Sequence, residues 1–286
     1  MEERDEITTE EKILTDEEIT TLLTAFYFGA YSLDDLPVWY YYKVADKLLQ
    51  GVYDGFGDTP TGLQEKIQEA RKVGNRDLLK ELTEQQEVLI GLRENIFEFS
   101  AAKTYEQQKQ LRALLFTDGK IKSFNEFEKE AKKIVKVINE TWLKTEYQNA
   151  INQAISAKEY SVYIEEKKDF PNLMYKTQED EKVRQSHSEL NNTIRPVDDS
   201  FWASYYPPIA WNCRCFVVQV SGRDTRNVIT KENESELNDL VPEYFRFNAW
   251  LDKIVFGSKH PYFNVSNEEK RRKERNFGMP IPLLDL

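Results

Sequence analysis

The sequence is poor in the residue types from which most cofactor sites and disulfide frameworks are built. Among 286 residues it has two cysteines and two histidines, and its 11 glycines form neither a Walker-type loop nor a Gly-x-Gly-x-x-Gly motif. Because a single residue separates the two cysteines, they cannot build a disulfide framework, and reduced thiols are expected. These absences exclude the common nucleotide-binding and disulfide-rich classes.

Long apolar runs and an excess of positive charge are also lacking. No stretch approaches the ~20 apolar residues that a membrane helix needs, and the acidic start of the chain lacks the apolar region of a secretory signal. The formal net charge is -11. Nonspecific wrapping of nucleic acid is therefore not expected, because phosphate contacts need clustered Lys and Arg. We expect a protein without membrane contact.

Helical periodicity dominates the first 160 residues. Thr15 and Glu18 fit a capping box for a helix that runs to about residue 30. Pro37 is suited to the start of a second helix, since its missing N–H is not needed there. The apolar face of this second helix consists of Tyr41, Val44, Ala45, Leu48, Leu49 and Val52.

The second half of the chain changes character. Asp118-Gly119 marks a break, and Ser123 is a candidate N-cap for a helical run over residues 124–160. Further on, 173–177 and 216–220 are predicted strands, with a turn-rich segment between them. The predicted fold class is α+β and predominantly α, with a long-helix N-terminal region followed by a small α+β module.

Residues 199–215 gather the rare residue types of the chain. Both cysteines lie here, together with two tryptophans and the Pro-Pro pair, and one of the two histidines lies shortly upstream. Such a concentration indicates either a chemical site or a rigid structural segment. The residues that we single out are His187, Asp199, Trp202, Pro207, Pro208, Asn212, Cys213, Arg214 and Cys215.

These residues leave two chemical interpretations open. His187, Cys213 and Cys215 are good zinc ligands, and Asp198 or Asp199 would complete a tetrahedral set. Cys-x-Cys is a less usual zinc spacing than Cys-x2-Cys. A Cys–His nucleophile is the second interpretation, although no glycine-rich loop or recognisable oxyanion hole accompanies it.

A structural interpretation explains the same pattern more simply. The prolines and aromatics would form a stiff loop, and Cys213 and Cys215 would face one side of a strand as small buried hydrophobes. Asn212 would satisfy backbone groups of a turn. Arg214 would form an ion pair with Asp198 or Asp199. We favour this locked loop.

The order of the motif residues resembles the phage Mu F-like domain of phage head morphogenesis proteins, also called minor head proteins. The resemblance covers roughly residues 123–220, and its helix before the first strand resembles Trp142–Tyr147 with Ala150 and Ala154. It divides the chain into a helical N-terminal region (1–122), a Mu F-like module (123–222) and an extended C-terminal segment with a charged tail (223–286). The signature residues are Asp180, Arg184, His187, Asp199, Tyr206, Pro207, Pro208, Cys213, Arg214 and Cys215.

This resemblance implies a structural, non-enzymatic component of a tailed-phage virion, made in the bacterial host cytoplasm and placed at the portal vertex of the capsid. The implied partners are the portal protein and other head proteins, and no cofactor is expected. Packaged DNA is a further candidate partner. The candidate DNA contact, which equally fits a solvated helix face, is the basic run Lys270, Arg271, Arg272 and Lys273.

Two other classes of function remain open at this stage. One is a metal-dependent hydrolase or nuclease centred on His187 with Cys213 and Cys215, or using Asp199. The other is a zinc-stabilised binding module.

Overall fold

The computed structural model describes residues 12–222, 241–284 and 286. The predicted C-terminal segment is therefore described only from residue 241 onward, and its first part, 223–240, lies outside the described residues. The division of the chain into three regions stays a prediction.

Four helices build the N-terminal half. The Thr15 hydroxyl accepts a hydrogen bond from the Glu18 N–H at 3.1 Å, and the Glu18 carboxylate accepts one from the Thr15 N–H at 2.9 Å, which confirms the predicted capping box. Pro37 lies at the N-cap of the second helix, as the sequence indicated. The helices are α1 (Asp16–Tyr27), α2 (Val38–Phe56), α3 (Pro60–Val73) and α4 (Arg76–Leu114).

A short hairpin separates these helices from the next helical run. It turns at Asp118 and Gly119, both with positive φ, where the sequence predicted a break, and Ser123 caps the helix that follows. The predicted run over 124–160 is helical but contains one π-helical turn. The elements are β1 (Phe116–Thr117), β2 (Lys120–Ile121), α5 (Phe124–Lys136), the π-helical turn (Val137–Trp142) and α6 (Leu143–Glu165).

A three-stranded antiparallel sheet follows α6. Its central strand, β3 (Asn172–Lys176), pairs with β4 (Ile194–Pro196) on one side and with β5 (Phe216–Val220) on the other. The two predicted strands are confirmed to within one residue. β4 was not predicted, because three residues that include a proline carry too little strand signal.

The remaining elements are short. Within the described ranges, no helix combines the length and apolar composition required to cross a bilayer. Helix predominates over strand, which confirms the predicted fold class. The short helices are α7 (Gln185–Ser188), α8 (Trp202–Tyr205), α9 (Ala249–Asp252) and α10 (Lys270–Lys273), and the 3-10 turns are Glu166–Lys168, Glu243–Phe245, Pro261–Phe263 and Asn276–Gly278.

Two hydrophobic cores share helix α6. The first core unites α1 to α5 and most of α6 with residues 247–279, and it contains the whole predicted apolar face of α2. The second core lies around the sheet and includes Tyr160, near the C-terminal end of α6. Trp211 packs against both cores. The Cys-containing segment is therefore held between the sheet and the helical half.

Helices α2 and α6 approach each other closely because α2 carries glycines at the crossing. A Cβ atom added at Gly55 would lie 2.3 Å from the Ile151 carbonyl oxygen, and one added at Gly51 would lie 3.0 Å from the Tyr147 ring. A Cβ contact of 2.3 Å does not occur in real structures, and one of 3.0 Å would require the Tyr147 ring to shift. The absence of a side chain at residue 55 thus sets the distance between the two helix backbones.

His260 is buried in the first core and gives that core a predictable response to acid. Its Nδ1 accepts a hydrogen bond from the Tyr262 N–H at 3.2 Å, and its ring lies edge-on to Phe99 at 5.0 Å. Burial, followed by the nearby Lys103 charge, lowers the pKa of His260 from 6.5 to about 4. The folded protein therefore keeps this imidazole neutral over a range where the unfolded chain protonates it.

The free energy of unfolding is expected to fall as the pH is lowered from about 6.5 to about 4. Over this range the unfolded state binds more protons at residue 260, which costs at most about 3 kcal/mol at ~1.4 kcal/mol per pKa unit. Urea unfolding of wild type and His260→Asn at several pH values measures the difference, because Asn keeps the acceptor for Tyr262. Parallel pH profiles for the two proteins would contradict the assignment.

Candidate functional site

The candidate site forms where the chain enters β5. Cys213 and Cys215 lie in the extended segment immediately before β5, and not within a strand as the sequence interpretation had it. Asn212, just before them, has a φ of 56°, a left-handed conformation that asparagine tolerates in turns. This turn fits the role that the sequence suggested for Asn212. His187 lies on the short helix α7.

His187 and the two cysteines converge on one point. The His187 Nδ1 atom lies 3.6 Å from Cys213 Sγ and 3.4 Å from Cys215 Sγ. The three potential ligand atoms all lie within 4.8 Å of one another. His187 and Cys213 are buried, and Cys215 is partly buried. The fold thus brings together three residues that are separated by up to 28 positions in the sequence.

The two thiols have very different acidities. A hydrogen bond from Cys215, together with the interaction with His187, holds the pKa of Cys213 well below its ordinary value in spite of burial. The same bond, together with burial, raises the pKa of Cys215. The pair therefore loses its first proton readily and keeps its second, as expected for two coupled acids in contact.

Arg214 is directed away from the thiols and holds the loop from outside. Its guanidinium donates two hydrogen bonds of 2.7 Å to the Asp180 carboxylate, which lowers the pKa of Asp180. The predicted pairing of Arg214 with Asp198 or Asp199 is wrong. Arg184 donates to the Trp211 carbonyl at 2.8 Å. These two contacts connect the segment around α7 to the Cys-containing loop.

Two polar residues of α6 fix the Pro-Pro segment. The Ser156 hydroxyl donates to the Pro207 carbonyl oxygen, and the Gln153 side-chain amide donates to the Pro208 carbonyl oxygen at 3.2 Å. The peptide bond between Pro207 and Pro208 is cis. Prolines cannot donate a backbone hydrogen bond, so their carbonyls are the groups through which α6 can hold them. The sequence analysis missed Ser156 and Gln153.

Asp198 and Asp199 do not belong to the cluster, so the structure does not bring to it the fourth ligand that the zinc interpretation suggested. The Asp198 carboxylate accepts a hydrogen bond from Lys167. Asp199 Oδ1 accepts one from the Phe201 N–H at 2.8 Å. Asp199 thus stabilises the turn that precedes α8. The contact that Asp199 makes here is therefore with the backbone of its own turn.

Trp202 is completely buried in the second core. Its Nε1–H donates to the Pro196 carbonyl oxygen at 2.9 Å, and its ring lies edge-on to Phe201 at 5.0 Å. The indole therefore packs the α8 segment against β4. Its role is to support the loop that leads to the cysteines, at a distance from the His187 cluster.

A further residue that was not predicted, Tyr175, lies beside the two thiols. It is on β3 and fully buried. Burial first, and then the adjoining Cys213 and Cys215, raise the pKa of its hydroxyl. This hydroxyl lies against the two thiols but forms no well-aligned hydrogen bond with any group in the part of the chain that the structure describes. A tyrosine in an alternating strand is ordinarily a packing residue, so no sequence pattern marks it as part of the site.

The basic run at residues 270–273 lies far along the chain from the cluster and forms α10. Arg272 donates to the Leu33 carbonyl at 2.7 Å and pairs with Asp34, while Lys273 donates to the Phe263 carbonyl at 3.1 Å. These two cations fasten α10 to the helical half. Arg271 is exposed.

The region of the chain that contains this site is similar to known proteins. Residues 118–218 match the family described as Phage Mu protein F like protein. The chain is 34% identical over 79 residues to the putative capsid assembly protein F of Escherichia phage Mu, which covers 28% of this chain and 18% of that protein. It is 29% identical over 92 residues to the Mu-like prophage FluMu F protein of Haemophilus influenzae, covering 31% and 22%.

The matched part spans about a fifth of the length of these two curated relatives. No solved structure matches the chain. The matched region runs from the β1–β2 turn into β5 and contains His187, the Pro207-Pro208 pair and both cysteines. Residues 118–218 of this chain thus match the Mu F-like family.

Proposed function

We propose that this chain is a non-enzymatic minor head protein of a tailed phage, which takes part in capsid assembly and binds the portal protein at the capsid vertex. The observation that carries the proposal is the match of residues 118–218 to the Mu F-like family. One of the similar relatives is named a putative capsid assembly protein. The proposal extends to assistance in DNA packaging or delivery and to a place in the virion.

The construction of the matched region supports a structural role. Its motif residues form structural contacts: Arg214 binds Asp180, Ser156 binds Pro207, and Trp202 fills the second core. Each of these contacts holds one segment of the loop to another. The same residues in a hydrolase would be expected to include a carboxylate directed at the cluster, and Asp199 is engaged elsewhere.

An apolar surface beside the β1–β2 hairpin is the candidate portal contact. Phe28, Phe116 and Ile121 are 74%, 49% and 66% exposed, and Phe28 stacks on Phe124 at 6.1 Å. Phe116 and Ile121 are cross-strand partners. Exposed apolar residues that lie together are typical of protein interaction sites. We call these residues the hairpin patch.

Co-expression with the portal protein and the major head protein from the same genome tests the proposal. We expect the chain to co-purify with the portal protein, and Ile121→Glu to reduce the recovered complex by about 10-fold or more, because it buries a charge in the contact. Leu251→Glu is the matched control, since Leu251 is 48% exposed but lies on α9. It is expected to bind normally.

The outcomes separate the parts of the proposal. A complex with the major head protein alone would contradict the portal assignment and keep the role in head assembly. No complex with either protein would contradict both. Normal binding by Ile121→Glu would remove the hairpin patch from the contact.

Contact with DNA is a separate part of the proposal and is placed on α10. Arg272 and Lys273 form hydrogen bonds within the protein. Among the described α10 side chains, Arg271 is therefore the cation that is exposed and can contact a phosphate. Binding of duplex DNA, measured at several salt concentrations for wild type and Arg271→Ala, tests this contact.

A hydrolase or nuclease is the second candidate, because the fold does bring His187, Cys213 and Cys215 together. Assays of wild type and His187→Ala on DNA and RNA, with added divalent metal, decide between the two. We expect no activity from either protein. Wild-type cleavage that His187→Ala abolishes would overturn the non-enzymatic assignment.

A further inference from the structure

The convergence of one imidazole and two thiols points to a metal site. We propose that His187 Nδ1, Cys213 Sγ and Cys215 Sγ together bind one Zn²⁺ ion. This inference goes beyond the head-assembly role and does not depend on it. Zinc would tie α7 to the segment that leads into β5, and so would close the Cys-containing loop from its open side.

The distances between the donor atoms match tetrahedral zinc. With Zn–S bonds of about 2.3 Å, Zn–N bonds of about 2.0 Å and tetrahedral angles, a sulfur and a nitrogen ligand lie about 3.5 Å apart. The observed separations of His187 Nδ1 from the two sulfurs are 3.6 and 3.4 Å. The imidazole nitrogen therefore already lies at the distance from both sulfurs that zinc requires, and the two sulfurs lie within 4.8 Å of each other.

The donor types select zinc over the other common divalent cations. Two sulfurs and an imidazole nitrogen are soft or borderline ligands, which suit zinc, whereas Mg²⁺ and Ca²⁺ require oxygen ligands. Among the described residues, no carboxylate belongs to the group. The carboxylate of Asp180, another motif residue, accepts two hydrogen bonds from Arg214.

The Tyr175 hydroxyl is an independent indication of a ligand. It is buried against Cys213 and Cys215, and its contact with the two sulfurs falls short of a well-aligned hydrogen bond. Buried hydroxyls are ordinarily well paired, so a stronger acceptor than a neutral thiol is expected beside it. Zinc binding converts both thiols to thiolates, which are acceptors for this O–H, and such outer hydrogen bonds are a regular part of zinc sites.

The fourth coordination position opens to solvent. A small, partly open cleft borders the cluster, with Gln178, Lys182 and Arg184 among its lining residues. No carboxylate lines this cleft among the residues described. We therefore assign the fourth position to a water molecule that enters from the cleft. The ligand set is two cysteines, one histidine and one water.

Metal titration of the full chain tests the site. The protein, prepared without a histidine tag and with its thiols reduced, is stripped with a chelator and titrated with Zn²⁺ against a chromophoric competitor. We expect one Zn²⁺ per chain. Cys213→Ser, Cys215→Ser and His187→Ala are each expected to weaken binding by more than about 100-fold, since loss of an outer-shell partner alone costs about 10–100-fold.

Two further variants make the test specific. His260→Asn is the matched control, because His260 is the other histidine and is also buried. Its zinc stoichiometry is expected to equal that of wild type. Tyr175→Phe removes only the hydroxyl and is expected to weaken binding by about 10-fold.

Cobalt substitution keeps the proposal testable if a cysteine variant fails to fold. Co²⁺ added to the stripped wild-type protein is expected to give the intense visible bands of a tetrahedral site and a thiolate-to-metal charge-transfer band. Reduced, folded wild type that binds neither ion would overturn the proposal. Equal zinc binding by wild type and by the variant lacking all three ligands would overturn it as well.

Discussion

Trp202→Ala is expected to destabilise the protein by about 3–5 kcal/mol, the usual cost of removing a large aromatic side chain from a core. Trp202 has no exposed surface, and its ring contacts Phe201 and Tyr206. Truncation also leaves the Pro196 carbonyl without the indole N–H. The loss falls on the second core, which is the smaller of the two and has fewer contacts to compensate for a cavity.

Urea unfolding, combined with hydrogen exchange of the β3 amides, measures this effect. We expect faster exchange in β3 at denaturant concentrations where α4 remains protected. Trp142→Ala is the matched control, because Trp142 is 42% exposed and its truncation should change stability by less than about 0.5 kcal/mol. Equal stability of Trp202→Ala and wild type would show that the second core does not depend on this side chain.

Lys103→Met is expected to cost about 3–5 kcal/mol, because it leaves the buried Glu146 carboxylate without its partner. The Lys103 ammonium, on α4, donates to Glu146 on α6 and to the Ile138 carbonyl at 3.2 Å. Neither side chain reaches solvent to any extent. Burial lowers the pKa of Lys103 and raises the pKa of Glu146, so each charge depends on the other.

The pH dependence of this variant identifies the mechanism. In Lys103→Met the folded state gains a proton on Glu146 more readily than the unfolded state does, so the destabilisation is expected to shrink as the pH is lowered. The double variant Lys103→Met/Glu146→Leu is expected to recover most of the lost stability, since an apolar pair can replace a buried ion pair. Lys80→Met, in an exposed pair with Glu84, is the control and should have little effect.

A double variant as unstable as Lys103→Met alone would contradict this account. The lost free energy would then belong to the hydrogen bond with Ile138, in the π-helical turn, and not to the unpaired carboxylate.

The helical half was largely predictable from the sequence because its signals are local. The capping residues Thr15 and Ser123 and the turn at Asp118-Gly119 define their elements through neighbours within four residues. The π-helical turn was not predictable. Its Ile138 carbonyl accepts from Lys103, and that contact joins residues 35 positions apart.

The sequence singled out the three residues that converge at the site, but neither their geometry nor the residues that support them. The rarity of cysteine and histidine singled out His187, Cys213 and Cys215, and the fold brings them together. Ion-pair partners could not be read from proximity in the sequence. Asp180 binds Arg214 across 34 positions, whereas the nearer Asp199 serves its own turn. Tyr175 and Ser156 have no distinguishing residue type, so only the three-dimensional structure reveals them.

The close crossing of α2 and α6 has a consequence for how this sequence can change over time. Gly55 lies outside residues 118–218, yet the backbone at Ile151, inside that region, leaves it no room for a side chain. A substitution at residue 55 is therefore tolerated only if α6 shifts with it. Sequence similarity to the Mu F-like family begins at residue 118. The position of α6 nevertheless requires a glycine at residue 55, in the part of the chain before that match.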